Sequence, residues 1–354
     1  LYCKVSSMSY HCCSACFTDT SVKQYIGREG TTGDCSFCSA EDTLVIEPTA
    51  LSDQFELILC CVKENSDGVH LSKIYADELK TISELVGDKE KLIDEILDSL
   101  SIGKSYELIE SFKGFQSEWH DLKHDLITKN RFFPSTALYG RIFANKTMPE
   151  QDLSIESSAF LITVGQLERN IREGKKYYRA RISNKELSAG EMGAPPAGSA
   201  SAGRANPAGI PYLYLAESEA ICCHEVRPSN GAKIFISEVE VIESLKLIDL
   251  SSPKQKLPLL QFEEDDLELV IKCLHLLEEF SSELSAPVLP ENSHLDYIPT
   301  QFVCEYLRNI GAHDGLIFNS SYGTGKNIVL FSGEKIRIHE PTSKTVKSVA
   351  VSLD

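Results

Sequence analysis

Two Cys-x-x-Cys pairs near the start of the sequence constrain its fold more than any other feature. Cys13 and Cys16 form the first pair, and Cys35 and Cys38 form the second, with 18 residues between the pairs. Zn²⁺ prefers four tetrahedral ligands, and each pair places two thiolates on one side of such an ion. Four thiolates fill the coordination sphere, so the spacing predicts a structural zinc site. Two disulfides or free buried thiols are the alternative.

The other cysteines bear on the cellular compartment. Secreted scaffolds use disulfides to staple short chains, whereas a chain of 354 residues can build its own hydrophobic cores. The first residues also lack the charged-then-apolar layout of a signal peptide. We therefore expect reduced thiols and a cytoplasmic protein. The vicinal pairs Cys60–Cys61 and Cys222–Cys223 receive no role from their spacing.

The charge balance excludes several classes of partner. The chain carries 35 Lys and Arg against 52 Asp and Glu, a net charge of −17. A polyanion binds nucleic acids poorly, because neutralising phosphates supplies most of that affinity. Anionic membrane surfaces repel it as well. No apolar run approaches the roughly 20 residues that span a bilayer. We expect no nucleic-acid partner and no membrane partner.

Periodicity and composition divide the chain into three predicted domains. Residues 8–47 contain the cysteine pairs. Residues 48–145 form a helical domain, because apolar residues recur at helical spacing from Pro48 to about Ile127 and predict about four helices. Residues 150–354 form the α/β part. Within it, Phe262 to Phe280 reads as an acidic amphipathic helix, which either packs on the sheet or offers a partner or dimer face.

A basic strand at residues 174–182 is the first candidate for ligand binding. Arg179 and Arg181 lie two residues apart, so the period of a β-strand puts them on one face. Guanidinium groups bind phosphate oxygens through paired hydrogen bonds, so the cluster suits an anionic ligand. An exposed basic strand edge is the alternative.

Two further features follow this strand. The segment from Met192 to Pro211 is rich in Gly, Ala and Ser, but it matches neither the Walker loop nor the G-x-G-x-x-G pattern. A strand from Tyr212 to Ala216 then leads into a short helix that carries Glu225 near its end. The helix dipole does not favour a carboxylate there, which indicates a functional role. A solvated glutamate paired with Arg227 is the alternative.

Together these segments resemble the RES domain, a family that includes bacterial toxins which consume NAD⁺. The motifs that carry the resemblance are Tyr178-Arg179, Gly203-Arg204-x-Asn206-Pro207-x-Gly209-x-Pro211-x-x-Tyr214-Leu-Ala216, Glu225, Asp314 to Ser321, and Gly325 to Phe331. Ser320 matches the serine for which the family is partly named, with Ser321 beside it as the alternative. The N-terminal half resembles the HEPN-like region that precedes RES in some bacterial proteins. It lacks the R-x4–6-H ribonuclease motif.

The resemblance implies an α+β chain, in which the zinc-binding and helical region precedes a split mixed sheet similar to that of ADP-ribosyltransferases, with a cleft for NAD⁺. It implies four catalytic residues: Arg179, Tyr214, Glu225 and Ser320. The residues that it implies for binding NAD⁺ are Arg179, Arg181, Arg204, Asn206, Tyr214, Ser320 and Ser321. Glu225 would stabilise an oxocarbenium-like ribosyl cation, as carboxylates do in glycoside hydrolysis.

The resemblance further implies an NAD⁺ glycohydrolase or phosphorylase, acting as a bacterial toxin or anti-phage defence effector. An antitoxin or regulatory protein is the expected partner, and we expect a homo-oligomer. Two alternatives belong to other functional classes. One is an ADP-ribosyltransferase that modifies a macromolecule. The other is a non-catalytic, zinc-stapled interaction module.

Overall fold

A computed structural model of the chain describes residues 9–144, 153–287, 293–322 and 324–349. The chain divides into two compact units. The first comprises residues 1–116 and 254–276, and the second comprises residues 117–253 and 277–354. The predicted domain limits at residues 8, 145, 150 and 354 fall outside the described residues, and the predicted three-domain division stays a prediction.

Helices occur in both units. Several begin at side chains that accept hydrogen bonds from free backbone N–H groups: Asp19 starts the first helix, Asp88 the fourth and Ser218 the seventh. The α-helices are α1 (Thr20–Glu29), α2 (Ser52–Glu56), α3 (Leu71–Lys73), α4 (Lys89–Ile96), α5 (Gln116–Thr128), α6 (Ile155–Gln166), α7 (Glu219–Glu225), α8 (Pro253–Lys256), α9 (Glu264–Ser285), α10 (Ser293–Asp296) and α11 (Ile298–Ile310). Shorter 3₁₀ or π turns span Ser14–Cys16, Pro48–Leu51, Leu57–Cys61, Ile74–Glu78, Glu110–Phe112, Tyr139–Phe143, Ala189–Met192 and Leu259–Gln261.

The first unit contains two small antiparallel sheets. Strands β1 (Cys12–Cys13), β2 (Thr31–Gly33) and β3 (Thr43–Ile46) pair in the order β1-β3-β2, and β4 (Val62–Val69) pairs with β5 (Tyr106–Leu108). Besides the helices α2 to α5, the segment from Pro48 to Ile127 therefore contains the strands β4 and β5, which the helical periodicity did not predict. β4 exposes most of its side chains, so it lacks the apolar alternation by which a strand is recognised.

The second unit is built on one mixed sheet, to which the described residues contribute nine strands. They are β6 (Glu168–Ile171), β7 (Lys176–Ile182), β8 (Leu213–Ala216), β9 (Lys233–Val241), β10 (Leu245–Asp249), β11 (Gly315–Asn319), β12 (Lys326–Leu330), β13 (Ile336–Ile338) and β14 (Thr342–Thr345). The order is β13-β9-β7-β8-β12-β11-β10-β6, and β14 pairs with β9. β10 and β11 run parallel, and the other pairs are antiparallel. The predicted α+β class with a mixed sheet is confirmed.

The connection from β6 to β7 shows that this sheet is strongly curled. β6 lies at one edge, and four strands stand between it and β7. A flat sheet would separate them by about 24 Å, at about 4.8 Å per strand. Residues 172–175 alone join the two strands, and so short a segment reaches only about 16 Å. The sheet therefore curls around its apolar face, where Tyr177, Leu215 and Ile328 share one buried cluster.

The predicted acidic helix is present as α9, and its apolar stripe is buried. Leu267, Val270, Ile271, Leu274 and Leu277 are each at most 2% exposed. This burial favours a helix packed within the chain over one that offers its apolar stripe to a partner. Within the described ranges, no helix combines the length and apolar character needed to cross a membrane.

Candidate active site

Two residues from other elements bind the carboxylate of Glu225, the last residue of α7. Ser320 follows β11 directly and donates a hydrogen bond from Oγ to Glu225 Oε1 over 2.8 Å. Asn327 on β12 donates from Nδ2 to the same oxygen over 2.7 Å. Two donors on one oxygen fix the orientation of the carboxylate. The other oxygen, Oε2, accepts no hydrogen bond from any described residue.

The hydroxyl group of Ser320 is itself held in place. Its side chain is buried, and its oxygen accepts a hydrogen bond from the N–H of Tyr322 at 3.1 Å. The N–H of Ser320 donates to the carbonyl of Gly325 at 2.9 Å, which closes the turn between β11 and β12. The single hydroxyl proton therefore points to Glu225, and Ser320 positions that carboxylate.

Arg179 lies where the sheet splits. Among the described residues, β7 and β8 pair at a single position, Tyr178 with Ala216. Beyond that point, Arg179 Nη1 donates to the carbonyl of Tyr214 over 2.8 Å, and Nη2 donates to the carbonyl of Gly193 over 3.3 Å. The guanidinium thus occupies the opening between the two strands.

The electrostatics of Arg179 favour an anionic ligand. Its Nε is buried without a hydrogen-bond partner, and no described carboxylate forms an ion pair with it. Burial, and secondly the charge of Arg181, lowers the pKa of Arg179 to about 10, so the group is still a cation at neutral pH. A buried cation is costly unless an anion pairs with it. Such a group in a cleft is typical of a binding site.

Asn206 organises the glycine-rich loop. Its Nδ2 donates to three loop carbonyls within 3.1 Å, and its Oδ1 accepts a hydrogen bond from the hydroxyl of Tyr214 at 2.7 Å. The N–H of Ala205 donates to the same Tyr214 oxygen. Burial raises the pKa of Tyr214. A Cβ on Gly203 would lie 2.5 Å from the Tyr214 hydroxyl, so only glycine fits this close approach.

The start of α11 holds the same loop from the other side. Thr300 Oγ1 donates to the carbonyl of Arg204 over 2.7 Å, and Gln301 Nε2 donates to two loop carbonyls over 2.8 and 3.0 Å. The guanidinium of Arg204 donates to the carbonyl of Leu284 over 2.9 Å and to Ser321 Oγ over 3.2 Å. These contacts place Arg204 at the wall of the cleft.

The cleft comprises two neighbouring cavities. One, of about 460 Å³, is lined by Arg179, Arg204, Tyr214, Glu225 and Asn327, among others. The second, of about 510 Å³, shares Arg179 and Tyr214 with the first and adds Arg181 and Asn206. Each volume lies in the range of small-molecule sites. The two cavities together offer room for a dinucleotide.

The predicted site residues therefore fall into three groups. Arg179, Arg204, Tyr214 and Glu225 line the first cavity. Arg181 and Asn206 line the second, where Arg181 Nη2 donates to the carbonyl of Gly193 over 2.7 Å and burial lowers the pKa of Arg181. Ser320 and Ser321 hold lining residues in place.

Sequence reasoning missed Asn327. The residue is 6% exposed, although it is polar and precedes the apolar run Ile328 to Phe331. A buried amide at the start of an apolar strand requires hydrogen-bond partners. The position of Asn327 beside this apolar run could therefore have indicated that it binds another polar group.

The four predicted zinc ligands form a cluster in the first unit. Their sulfur atoms all lie within 4.8 Å of one another, with Cys13 and Cys38 at 3.5 Å and Cys16 and Cys35 at 3.4 Å. These distances exceed a disulfide bond and are close to the edge of about 3.8 Å in a tetrahedral zinc–thiolate site. The predicted alternative of two disulfides does not occur, and the cluster can hold a metal ion.

The family model described as "RES domain" matches residues 176–351. No curated protein matched the sequence. Among solved structures, the chain is similar to one from the M. tuberculosis MbcT-MbcA toxin-antitoxin complex, at 14% identity and a TM-score of 0.29. That match covers 54% of this chain and 94% of the other.

Proposed function

The chain belongs to the RES-domain family, and from this premise we propose that it cleaves NAD⁺ at the bond between nicotinamide and ribose. The observation that carries the proposal is the oriented carboxylate of Glu225 in the same cavity as the buried Arg179 cation. NAD⁺ pairs an anionic pyrophosphate with a ribose that becomes cationic as nicotinamide leaves. The positive charge of Arg179 matches the pyrophosphate, and the negative charge of Glu225 matches the developing ribosyl cation.

Glu225 acts on the ribose in this mechanism. The breaking C–N bond leaves its electron pair on nicotinamide, and the ribosyl group takes on oxocarbenium character. A negative charge held nearby stabilises that transition state, as in glycoside hydrolysis. Ser320 and Asn327 bind Oε1, so Oε2 is the oxygen that we assign to the ribose. Nicotinamide leaves as a neutral molecule, so no strong general acid is required.

Arg179 and its neighbours bind the rest of the substrate. Arg179 takes the pyrophosphate, because its buried charge has two carbonyl contacts and no carboxylate partner among the described residues. Arg204 supplies a second cation at the cavity wall. The ring of Tyr214, with its hydroxyl held by Asn206, offers a fixed surface for the ribose or nicotinamide.

The acceptor of ADP-ribose determines the product. Water forms the new C–O bond and gives up a proton, for which Glu225 Oε2 is the proposed acceptor, and ADP-ribose results. Phosphate would give ADP-ribose 1″-phosphate. We prefer these two reactions to ADP-ribosylation of a macromolecule, because the described residues offer no recognisable docking motif for one.

One experiment tests the proposal and separates the products. Purified full-length protein is incubated with NAD⁺, with and without phosphate, and nicotinamide and the adenylated product are separated by chromatography. Glu225→Gln should abolish nicotinamide release, and Lys185→Gln, at an exposed position outside the cleft, should not. Release that survives Glu225→Gln would overturn the mechanism. Label from NAD⁺ on protein would support ADP-ribosylation, and absence of release would support an interaction module.

The zinc and partner assignments are further parts of this proposal. Four buried or half-buried thiols at tetrahedral spacing favour Zn²⁺, which would be structural because no coordination position stays open. Depletion of NAD⁺ is the activity expected of a toxin or defence effector in a bacterial cytoplasm. An antitoxin or regulatory protein would restrain such an activity. A homo-oligomer stays a prediction.

A further inference from the structure

The curled sheet of the second unit has a second polar cavity on the face opposite the cleft. Alternate residues of three strands divide between the two faces. Tyr178, Phe318 and Asn327 line the first cavity of the cleft, and their chain neighbours Tyr177, Ile317 and Lys326 line the other. Since successive side chains of a strand point to opposite faces, the sheet separates the two cavities. The second-face cavity has a volume of about 260 Å³.

Cations dominate the lining of this cavity, although the chain as a whole carries a net charge of −17. They are Arg169, Arg172, Lys175 and Lys326, against the single lining carboxylate of Glu217. The turn between β6 and β7 supplies two of them, Arg172 and Lys175. The tight connection that curls the sheet therefore also concentrates positive charge there.

The nearby carboxylate of Asp249 leaves part of this charge uncompensated. Asp249 lies 3.4 Å from Arg169 and 3.8 Å from Lys326, and it also accepts two hydrogen bonds from Ser251. One buried carboxylate thus serves two cations. Arg172 and Lys175 form no ion pair within the described part of the chain, and Lys175 contacts the ring of Tyr177 at 5.6 Å.

The hydroxyl of Tyr177 adds an uncharged hydrogen-bond donor to this cavity. The residue is 3% exposed and lines the cavity, yet its hydroxyl has no hydrogen-bond partner among the described residues. Burial raises the pKa of Tyr177 to about 12, and the charges of Arg169 and Glu217 at the cavity also act on it. The hydroxyl therefore keeps its proton and can donate it. The hydroxyl oxygen is open to the cavity, where a bound ligand can accept its hydrogen bond.

We propose that this cavity binds the phosphate of a small phosphorylated sugar, at a site separate from the catalytic cleft. Arg172, Lys175 and Tyr177 bind the phosphate, because guanidinium, ammonium and hydroxyl groups are its usual donors. Ile171, Ile317 and Ile328 form an apolar floor for the sugar. Glu217 at the cavity accepts hydrogen bonds from sugar hydroxyls, which favours a sugar phosphate over free phosphate.

Calorimetric titration of the full-length protein with ribose 5-phosphate, and separately with inorganic phosphate, tests the site. We expect ribose 5-phosphate to bind the more tightly of the two. The double variant Arg172→Gln/Lys175→Gln should weaken its binding at least about tenfold, the loss expected for charge-assisted hydrogen bonds. Tyr177→Phe should weaken it as well, with thermal melting as the check on folding.

Two control proteins make the outcome specific. Arg131→Gln/Lys185→Gln removes the same charges at exposed positions that do not line the cavity, and it should bind ribose 5-phosphate normally. Arg179→Lys alters the cleft and should also leave this binding intact. The proposal is overturned if ribose 5-phosphate does not bind or binds no tighter than phosphate. It is equally overturned if Arg172→Gln/Lys175→Gln leaves the affinity for ribose 5-phosphate unchanged, or if the exposed-charge control loses as much affinity as that variant. A loss of affinity in Arg179→Lys alone would also overturn it, because ribose 5-phosphate would then bind in the catalytic cleft.

Discussion

Ser320 donates its only hydroxyl proton to Oε1 of Glu225 over 2.8 Å, although the two residues are 95 positions apart in the chain. The contact ties the end of β11 to the end of α7. Because the same carboxylate oxygen also accepts from Asn327, the carboxylate has one held oxygen and one open oxygen. A carboxylate that acts by its charge on a developing cation benefits from such fixed orientation. Three elements of the second unit thus converge on one functional group.

Ser320→Ala should reduce the rate of NAD⁺ cleavage by about ten- to a hundredfold, because a hydrogen bond to a charged group is worth about 1.5–3 kcal/mol. The loss should appear in kcat rather than KM, since Ser320 orients Glu225 and is not the anion-binding group. Ser321→Ala is the matched control, because that hydroxyl contacts Arg204 and not Glu225. A fall in kcat for Ser321→Ala with none for Ser320→Ala would contradict this assignment.

Asn327→Asp should shift the pH dependence of the reaction. The substitution replaces an amide donor with a second carboxylate, 2.7 Å from Glu225 Oε1 in the present geometry. Like charges at this distance disfavour the ionised form of Glu225, so activity should fall at a higher pH on the acid side than in the natural protein. Rates measured between pH 4 and 8 check this shift. An unchanged acid limb would show that Asn327 does not position the reactive carboxylate.

The sequence allowed the site to be predicted where the signal was local, and not where it depended on long-range geometry. The spacing of Cys13 to Cys38 predicted the cysteine cluster, and short motifs led to Arg179 and Glu225. The partnership of Asn327 with Glu225 could not be read from spacing, because it depends on the pairing of β12 with β8. The same applies to the cavity around Tyr177, whose lining residues come from strands that are far apart in the chain.

The strand β4 shows a second limit. Its residues are mostly polar and exposed, and its stability comes from pairing with β5, about forty residues later. Helical periodicity on both sides of it therefore predicted separate helices and gave no sign of a strand between them. Conversely, α5 and α9 carry apolar residues at helical spacing, and the structure places helices at both.

Gly203→Ala should destabilise the glycine-rich loop. The added Cβ would lie 2.5 Å from the Tyr214 hydroxyl and 2.7 Å from Asn206 Oδ1, so the hydrogen bond between those two side chains must break or shift. Overpacking of this kind costs about 1–3 kcal/mol. Denaturant unfolding measures the loss, and NAD⁺ cleavage should fall with it.

Two companion variants separate this clash from a general effect of alanine. Gly190→Ala places its Cβ no closer than 3.9 Å to its neighbours and should be neutral. Gly203→Ala/Tyr214→Phe removes the nearest clashing atom, so it should recover part of the stability that Gly203→Ala loses. Equal losses for the two glycine variants, or no recovery in the double variant, would contradict the role of the Tyr214 hydroxyl.

Removal of the metal should destabilise the first unit. We expect one zinc ion per chain by elemental analysis, because the four sulfur atoms of Cys13, Cys16, Cys35 and Cys38 lie within 4.8 Å of one another. A strong chelator, or Cys16→Ser, should lower the thermal midpoint by several degrees at least, since about 1 kcal/mol shifts the midpoint by roughly 2–4 °C in a domain of this size. Cys60→Ser is the control, because that half-buried thiol lies outside the cluster and donates to the carbonyl of Leu57. A protein that contains no zinc after purification in its presence, or a Cys60→Ser variant that loses as much zinc as Cys16→Ser, would refute the site.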